Sequence, residues 1–293
     1  MEDILTALAS RLKQKDNSAN KGTNGTLTVA AGSELYRGAA ALASSAALRC
    51  GVGIVRLVSV EKVISSAAAR LPECVFLPTE SENGAMSYRD FKRKMPAFSK
   101  SRAVLAGCGM TDCTDTGNII AELIKYGGYQ LIIDADGLNS IKNRPELLKS
   151  AALPPVITPH IGEMARLTGA STDAIKSDRE KTAAEFSRKY NCITVLKDCK
   201  TVISSPEGKL FVCDRPNAGL AKGGSGDVLS GIISSFAAQG YDAFDAAVCG
   251  TALHSLAAES AREKLTEYSM LPSDIVAEIP GVFARIGKTR NYR

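Results

Sequence analysis

The chain has no tryptophan, and aromatic residues make up only 5% of its 293 positions. A platform on which nucleic-acid bases stack needs such rings, and none is offered here. There are only two histidines, His160 and His254, so a cage of His and Cys ligands around a metal is poorly supplied. The eight cysteines include no C-x-x-C pair and sit within apolar strings such as "LRCGVGIVRL" and "FVCDRP". They read as reduced, buried thiols of a cytoplasmic protein. No run of 18 apolar residues exists to span a membrane, and "MEDILTALAS" lacks the apolar core of a secretory signal. Basic residues number 36 and acidic ones 31, interspersed, for a net charge of +5. A surface of that kind suits small anions and presents no basic stripe for nucleic acid. No repeat and no long Pro- or Ser-rich linker divides the chain, so a single domain over 1–293 is expected, with residues 1–25 as a polar N-terminal arm.

What the chain does have is an alternation of short apolar runs and helical segments. "TLTVAAG" (26–32), "GIVRLVSV", "RAVLAG" (102–107) and "QLIIDADG" (130–137) read as buried strands. "YRGAAALASSAALRCG" (36–51), a segment from His160 to about Thr168, and segments near 225–239 and 242–262 read as helices. "CITVLKD", "TVISS" and "KLFVCD" look like neighbouring strands in an antiparallel run. The polar stretch 79–101 reads as a surface helix with its loop. The pattern predicts an α/β fold, a three-layer αβα sandwich whose central sheet is mostly parallel with an antiparallel margin.

Four glycines crowd "AGLAKGGSGDVLSGIISSF" (218–236) just where an apolar helix begins. Gly223, Gly224 and Gly226 would leave backbone N–H groups free at a helix N-terminus, a setting that binds phosphate. Asp227 follows in the first turn. It admits two readings: a base that takes a proton from a hydroxyl beside a held phosphoryl group, or a helix cap after a tight turn. The stretch is not a G-x-x-x-x-G-K-[ST] loop. In "ITPHIGEMARLTG", His160 and Glu163 lie one turn apart at a strand's carboxyl end, and Glu163 also fits a capping role. His254 reads as a core or surface histidine. Asp134, Asp136 and Asn139 in "IIDADGLN" fit either water-mediated Mg²⁺ binding or a helix cap. Lys197 in "VLKDCKTVISS" fits either a nucleotide phosphate or a solvated hairpin. Gly32, Ser33 and the small residues Gly38-Ala39-Ala40 fit close approach of a ligand or close helix packing.

As an ordered set, "AAGSELYRGAAALASSAALRCGVGIV", "AGCGM", "DADGLN", "TPHIGEMARLTG", "VLKDCKTVI" and "NAGLAKGGSGD" resemble the ADP- or ATP-dependent NAD(P)H-hydrate dehydratases, a branch of the ribokinase-like superfamily. The resemblance implies a ribokinase-like fold and a repair reaction. The S epimer of NAD(P)H hydrate would be phosphorylated on its ring hydroxyl and lose phosphate to return NAD(P)H. It implies Asp227 as the base, with Ala39, Ala40, Gly109 and His160 lining the hydrate's pocket. Lys197, Asp198, Cys199, Lys200 and Thr201 would face the adenine nucleotide, with Gly223, Gly224, Ser225 and Gly226 at its phosphates. Glu163 would organise Mg²⁺ through water. The resemblance also implies a homotetramer and a separate NAD(P)H-hydrate epimerase as functional partner, because no epimerase domain is expected in the residues before the first strand. The chain departs from the family pattern at Cys108, where proline is usual, at Met110-Thr111, where Leu-Gly is usual, and at Asp198, where glycine is usual. Ser225 replaces the common threonine. Two other readings stay open: a kinase of a vitamin alcohol such as hydroxymethylpyrimidine or hydroxyethylthiazole, and a nucleotide sensor without turnover.

Overall fold

A computed structural model describes residues 3–291; positions 1, 2, 292 and 293 of the expected domain lie outside the described residues. In chain order the elements begin with α1 (Ile4–Arg11), β1 (Thr26–Ala30), α2 (Arg37–Arg49), β2 (Ile54–Val60), α3 (Glu61–Ala68) and β3 (Val75–Thr79). A short hairpin of β4 (Ser81–Glu82) and β5 (Ala85–Met86) leads to α4 (Tyr88–Lys94), β6 (Ala103–Ala106), α5 (Thr114–Tyr126), β7 (Gln130–Ile133) and α6 (Asp136–Ser140). Then come β8 (Val156–Ile157), α7 (Ile161–Thr168), α8 (Thr172–Ser177), α9 (Arg179–Tyr190), β9 (Ile193–Leu196), β10 (Lys200–Ser204) and β11 (Leu210–Asp214). Three long helices close the chain: α10 (Ser225–Ala238), α11 (Ala243–Ser269) and α12 (Pro272–Asn291).

The nine-stranded sheet has the order β11-β10-β9-β8-β7-β6-β1-β2-β3. Pairing is parallel from β3 through to β9, while β9–β10 and β10–β11 are antiparallel. Successive side chains of a strand point to opposite faces, so burial of every residue of β1 and β6 requires cover on both faces. The expected three layers and antiparallel margin are therefore present.

On one face α10 packs between α2 and α11, and the packing is close because the contact residues lack side chains. A Cβ added to Gly231 of α10 would lie 2.2 Å from the Ala43 carbonyl oxygen of α2, and one added to Gly250 of α11 would lie 2.4 Å from Ile233 of α10. The alanine- and glycine-rich helices of the sequence thus bring three backbones into contact.

Two expectations need correction. The opening residues are not all a polar arm: Asp3 caps α1 through its side chain, and Ile4, Ala7 and Leu8 are buried. Their i, i+3, i+4 spacing is too short a signal to outweigh the polar residues that follow. The 79–101 stretch is likewise more than a surface helix, since Asp90 and Phe91 of α4 are buried and Phe91 meets Phe98 edge-on at 5.5 Å. α12 corresponds to no segment singled out in the sequence.

Overpacking makes Gly231 a sensitive test of this layer. Gly231→Ala is expected to lower stability by about 2–3 kcal/mol in chemical denaturation, because backbone rather than a flexible side chain stands in the way. Gly287→Ala in α12, where a Cβ meets nothing within 4 Å, is expected to leave stability unchanged or raise it by about 0.5–1 kcal/mol.

Candidate active site

The parallel strands end along one edge of the sheet, the edge at which open α/β folds bind ligands. Gly107-Cys108-Gly109 follows β6, Asp134 follows β7, His160 lies beyond β8, and Lys197 follows β9. Lys197 donates its backbone N–H to the Pro159 carbonyl at 2.8 Å, which sets His160 and Lys197 side by side as a parallel bridge. A cavity of about 830 Å³ opens over this edge, lined as well by residues 215–218 and 220–222, by the start of α10 and by Thr251, His254 and Ser255 in the middle of α11.

α10 begins at the glycine-rich turn. Its N-cap is Gly224, with φ +103°, and no side chain caps the helix. The positive φ favours glycine there, and a side chain at Gly224 would also displace the end of Leu42, 2.6 Å away. The cap reading of Asp227 is thereby excluded. The Ser225 N–H donates to the Lys222 carbonyl at 3.3 Å, while the N–H groups of Gly226 and Asp227 have no intrahelical partner at the positive end of the helix dipole, beside the cavity. Lys222 fixes the turn from behind, its ammonium donating to the carbonyls of Tyr268 (2.8 Å) and Met270 (2.7 Å).

Beneath the turn lies Asp134, whose side chain is 1% exposed. Its Oδ1 accepts from the Lys197 ammonium at 2.7 Å and from the Ala135 N–H at 2.9 Å, and its Oδ2 from the Ser230 hydroxyl at 2.6 Å. Burial pushes the carboxyl up, but the Lys197 charge and these hydrogen bonds outweigh it and hold Asp134 below the usual carboxylate range. The same pairing keeps Lys197 above the usual lysine value in spite of its own burial. Asp134 is therefore neither a cap of α6 nor open to a cation. Asp136 Oδ2 accepts from the Thr111 N–H at 2.8 Å, and Asn139 Oδ1 accepts from Arg166 at 2.9 Å, so these two are also spoken for.

Asp227 stands beside Asp134 with no cation of its own. Burial, then the Asp134 charge, raise its carboxyl to about 6. Cys108 Sγ and oxygens of Asp134 and Asp227 all lie within 4.8 Å of one another. Within that trio the Cys108 thiol donates to Asp134 Oδ2 at 3.8 Å, beside the bonds that Asp134 accepts from Lys197 and Ser230.

His160 is the N-cap of α7: its Nδ1 accepts from the backbone N–H groups of Gly162 (2.9 Å) and Glu163 (3.3 Å). Glu163 returns the bond, Oε2 accepting from the His160 N–H at 2.9 Å. Burial, with the charges of Lys197 and Arg166, lowers His160, so the imidazole near Glu163 Oε1 is neutral and the contact is no ion pair. Burial raises Glu163 to about 7. The capping reading of Glu163 is thus observed, and both residues also line the cavity.

Of the other expected residues, Asp198, Cys199, Thr201 and Gly223 to Gly226 line the cavity. Lys200 does not; alternation along β10 turns it to the opposite face, where it pairs with Glu180 at 2.9 Å. Ala39, Ala40 and Gly109 lie outside the cavity, the two alanines in the first turn of α2 and Gly109 in the loop after β6. Ala40 is fully buried against Gly32, and a Cβ at Gly109 would be 2.9 Å from that of Ala39. The acidic departure at Asp198 is neutralised by Arg179, whose Nε donates at 3.0 Å. Thr111 takes φ +73°, the left-handed conformation for which the usual glycine is suited, and holds it through Asp136 and a 3.1 Å bond to Ser33 Oγ. His254 is a core histidine, 7% exposed, pushed down by burial to about 4, and its residue also forms part of the cavity wall. The sequence reading missed the Asp134–Lys197–Ser230 network; an acid and a lysine each ending a buried strand was the available signal.

The mostly parallel sheet with its antiparallel margin and flanking helices is ribokinase-like, and at its carboxyl edge a glycine-rich, uncapped helix start stands beside an unpaired carboxyl. The structure superimposes on the ADP/ATP-dependent NAD(P)H-hydrate dehydratase of Bacillus subtilis, co-crystallised with ATP/Mg²⁺, with a TM-score of 0.82, 26% identity and coverage of 95% of this chain and 96% of that one. A family model described as NAD(P)H-hydrate dehydratase matches residues 27–281, and the chain belongs to that family. It is 32% identical to the bifunctional NAD(P)H-hydrate repair enzyme of Moorella thermoacetica over 97% of this chain, and spans 54% of that relative's length. It is 30% identical to the ADP-dependent (S)-NAD(P)H-hydrate dehydratase of Xanthomonas campestris pv. campestris over 97% of both chains. Among the described residues no helix is long and apolar enough to cross a membrane.

Removing the cation exposes the constraint. Lys197→Met leaves Asp134 buried and unpaired and is expected to cost about 3–5 kcal/mol of stability near pH 8. In the variant the folded-state value of Asp134 lies above its unfolded one, so that stability is regained as pH falls and lost as pH rises. Urea melts of wild type and variant from pH 5 to pH 8 should therefore diverge with rising pH.

Proposed function

We propose that this protein dehydrates the S epimer of NAD(P)H hydrate, using ADP or ATP as phosphoryl donor. One observation carries the reading: the Asp227 carboxyl, raised to about 6 and without a cation, adjoins an uncapped glycine-rich helix start on the cavity wall. The relatives' described activities support it.

In this reading the phosphates rest on the amides of Gly223, Gly224, Ser225 and Gly226, while Lys197, Asp198, Cys199 and Thr201 flank the nucleotide. The hydrate lies toward Ala39, Ala40, Gly109 and His160, with its ring hydroxyl at Asp227. Asp227 takes the hydroxyl proton as that oxygen bonds to the terminal phosphorus, and the bond from phosphorus to the leaving nucleotide oxygen breaks, giving AMP from ADP or ADP from ATP. The ring nitrogen's lone pair then expels orthophosphate with the C–O bonding electrons, and loss of a proton from the neighbouring carbon restores the double bond. Glu163 fits a Mg²⁺ role through water, since its buried carboxyl, raised to about 7, is one that a nearby cation would ionise. Mg²⁺ there would supply charge neutralisation of the phosphates. We assign the protein to the cytoplasm, in keeping with eight unpaired cysteines, as a homotetramer working with a separate epimerase.

The first test is recovery of absorbance at 340 nm from purified NADHX with ADP or ATP and Mg²⁺. Wild type should recover it with kcat/KM rising through an acid limb near pH 6, and Asp227→Asn should lose about 10²–10⁴-fold or more. A stable phosphorylated vitamin alcohol without recovery would instead make the protein a kinase, and nucleotide binding without consumption would make it a sensor.

The same substitution should stabilise the fold. A folded value of about 6 against an ordinary 3.8 means that Asp227's contribution is fully present below about pH 4 and is lost as pH rises through 6. Asp227→Asn escapes that loss and should be more stable than wild type by about 1–3 kcal/mol at pH 8, with the difference closing near pH 4. Melting curves across this range check the sign.

A further inference from the structure

We propose that a second cavity, at the edge of the sheet opposite the candidate active site, binds a small phosphate ester that carries a flat apolar group. In this site Lys13, Lys15 and Arg49 meet the phosphate, and Leu12, Tyr241 and Phe283 meet the apolar group. The inference concerns another part of the molecule and does not rest on the reading of Asp227 given above.

The cavity, about 840 Å³, matches in size the one over the carboxyl edge. The segment after α1, the ends of α2 and α10, and α12 at Phe283 and Ile286 enclose it. Its place is fixed by backbone contact. A Cβ at Gly25, just before β1, would fall 1.8 Å from the Ala238 carbonyl oxygen, so the last turn of α10 is pressed against the start of the sheet. α2 and α10 thus run the depth of their layer, with their first turns at the candidate active site and their last turns here.

A helix C-terminus carries about half a negative charge and by itself repels anions. Two such ends meet here, and the segment after α1 reverses their sign. The Lys15 ammonium donates to the Gly51 carbonyl just past α2 at 3.0 Å, to Asn24 Oδ1 at 2.9 Å and to Gln239 Oε1 at 2.7 Å. Lys13 donates to the Gly240 carbonyl just past α10 at 2.6 Å, and its ammonium lies 4.5 Å from the centre of the Tyr241 ring. All these partners are neutral, and burial lowers Lys15 with no carboxylate to oppose it. Arg49, exposed in the last turn of α2, has no hydrogen-bond or ion-pair partner among the described residues. No acid is among the described residues that line the cavity. The acid of the segment, Asp16, lines an adjoining hollow and accepts from the Ser18 N–H of its own loop at 2.8 Å. Three full charges against two half-charges leave a surplus of roughly +2. Capping explains where Lys13 and Lys15 sit, but neither the surplus nor Arg49 nor the half-buried apolar wall of Leu12, Tyr241 and Phe283. A phosphate monoester, with about two negative charges near pH 7, matches the surplus.

The test is calorimetric titration of the full chain with 1-naphthyl phosphate, with orthophosphate and with 1-naphthol. Wild type should bind 1-naphthyl phosphate about tenfold or more tightly than either part alone, since the charge and the ring each contribute. Arg49→Glu, at an exposed side chain with no partner to lose, should weaken 1-naphthyl phosphate by about tenfold or more and leave the melting temperature unchanged. Lys13→Gln, which can keep a bond to the Gly240 carbonyl while losing the charge, should weaken it about fivefold. Added salt should weaken binding to wild type more than to either variant. Wild type that does not bind 1-naphthyl phosphate, or binds it no better than orthophosphate, would overturn the proposal. So would an affinity unchanged in Arg49→Glu, which would put the ligand at another place. Should Arg49→Glu fail to fold, Lys13→Gln decides: weakened binding supports the site, and wild-type affinity opposes it. Turnover of NADHX bears on none of these outcomes, so the dehydratase reading and this site stand or fall apart.

Discussion

A carboxylate cannot remain ionised under the sheet edge unless a cation is brought to it, and at Asp134 that cation is Lys197. The pair ties three separate pieces of chain to one point: the end of β7 through Asp134, the end of β9 through Lys197, and the second turn of α10 through Ser230. Its position also explains a feature of the glycine-rich turn. A Cβ at Gly226 would lie 3.2 Å from the Lys197 ammonium and 3.8 Å from Asp134 Oδ2, so the first turn of α10 sits close over the pair and a side chain there would press on the ammonium. The glycine that bares a backbone amide to the cavity is thus also the one that lets the helix approach the ion pair.

That approach is supported from below by the helix layer. α10 reaches the sheet edge at the right height because Gly231 and Gly250 let α2 and α11 close on it backbone to backbone. Small residues that weaken an isolated helix are stabilising here, since they exchange side-chain contacts for close packing of the backbones. The layer and the site are therefore not independent. A side chain that forces α10 away from α2 also lifts Asp227 and the amide turn from Asp134.

Much of this was legible in the sequence, and the limits have physical causes. The buried strands announced themselves as short apolar runs, and the parallel sheet followed from the helices between them. The glycine-rich turn and Asp227 stood out because four glycines before an apolar helix demand a reason. His160 and Glu163 were legible as a helix start, and their reciprocal capping bonds are local, three residues apart. The Asp134–Lys197 bond joins residues 63 apart, and nothing in either local segment requires it. Only the order of strands in the sheet brings β7 and β9 close enough, with β8 between them. The departure at Asp198 had the same origin: an acid that seemed misplaced beside a nucleotide is answered by Arg179, one helix earlier. α1 is a short amphipathic stretch that gains its burial from α11, whereas α12 carries a legible stripe of its own, Ile275, Ile279, Val282 and Ile286 buried at i, i+4, i+7, i+11, which went unremarked beside the polar residues between them.

Three of the carboxyls that line the cavity, Asp134, Asp227 and Glu163, titrate apart from one another, which is how one pocket can divide its roles. Asp134 is held ionised by Lys197, and its fixed negative charge then adds to burial in raising Asp227 to about 6 and Glu163 to about 7. Lys197 is the lever in this arrangement. A phosphate entering the turn is drawn to the same ammonium, and whatever share of it the phosphate takes is withdrawn from Asp134. A buried carboxylate losing its cation is costly, so the phosphate's charge has to be met by other means as well. The free amides of α10 supply part of that, and a cation near Glu163 would supply the rest. Once compensated in this way, the phosphate leaves Asp134 ionised and Asp227 still short of a cation. In the proposed reaction Asp227, as the base, therefore keeps the raised affinity for a proton that this task requires.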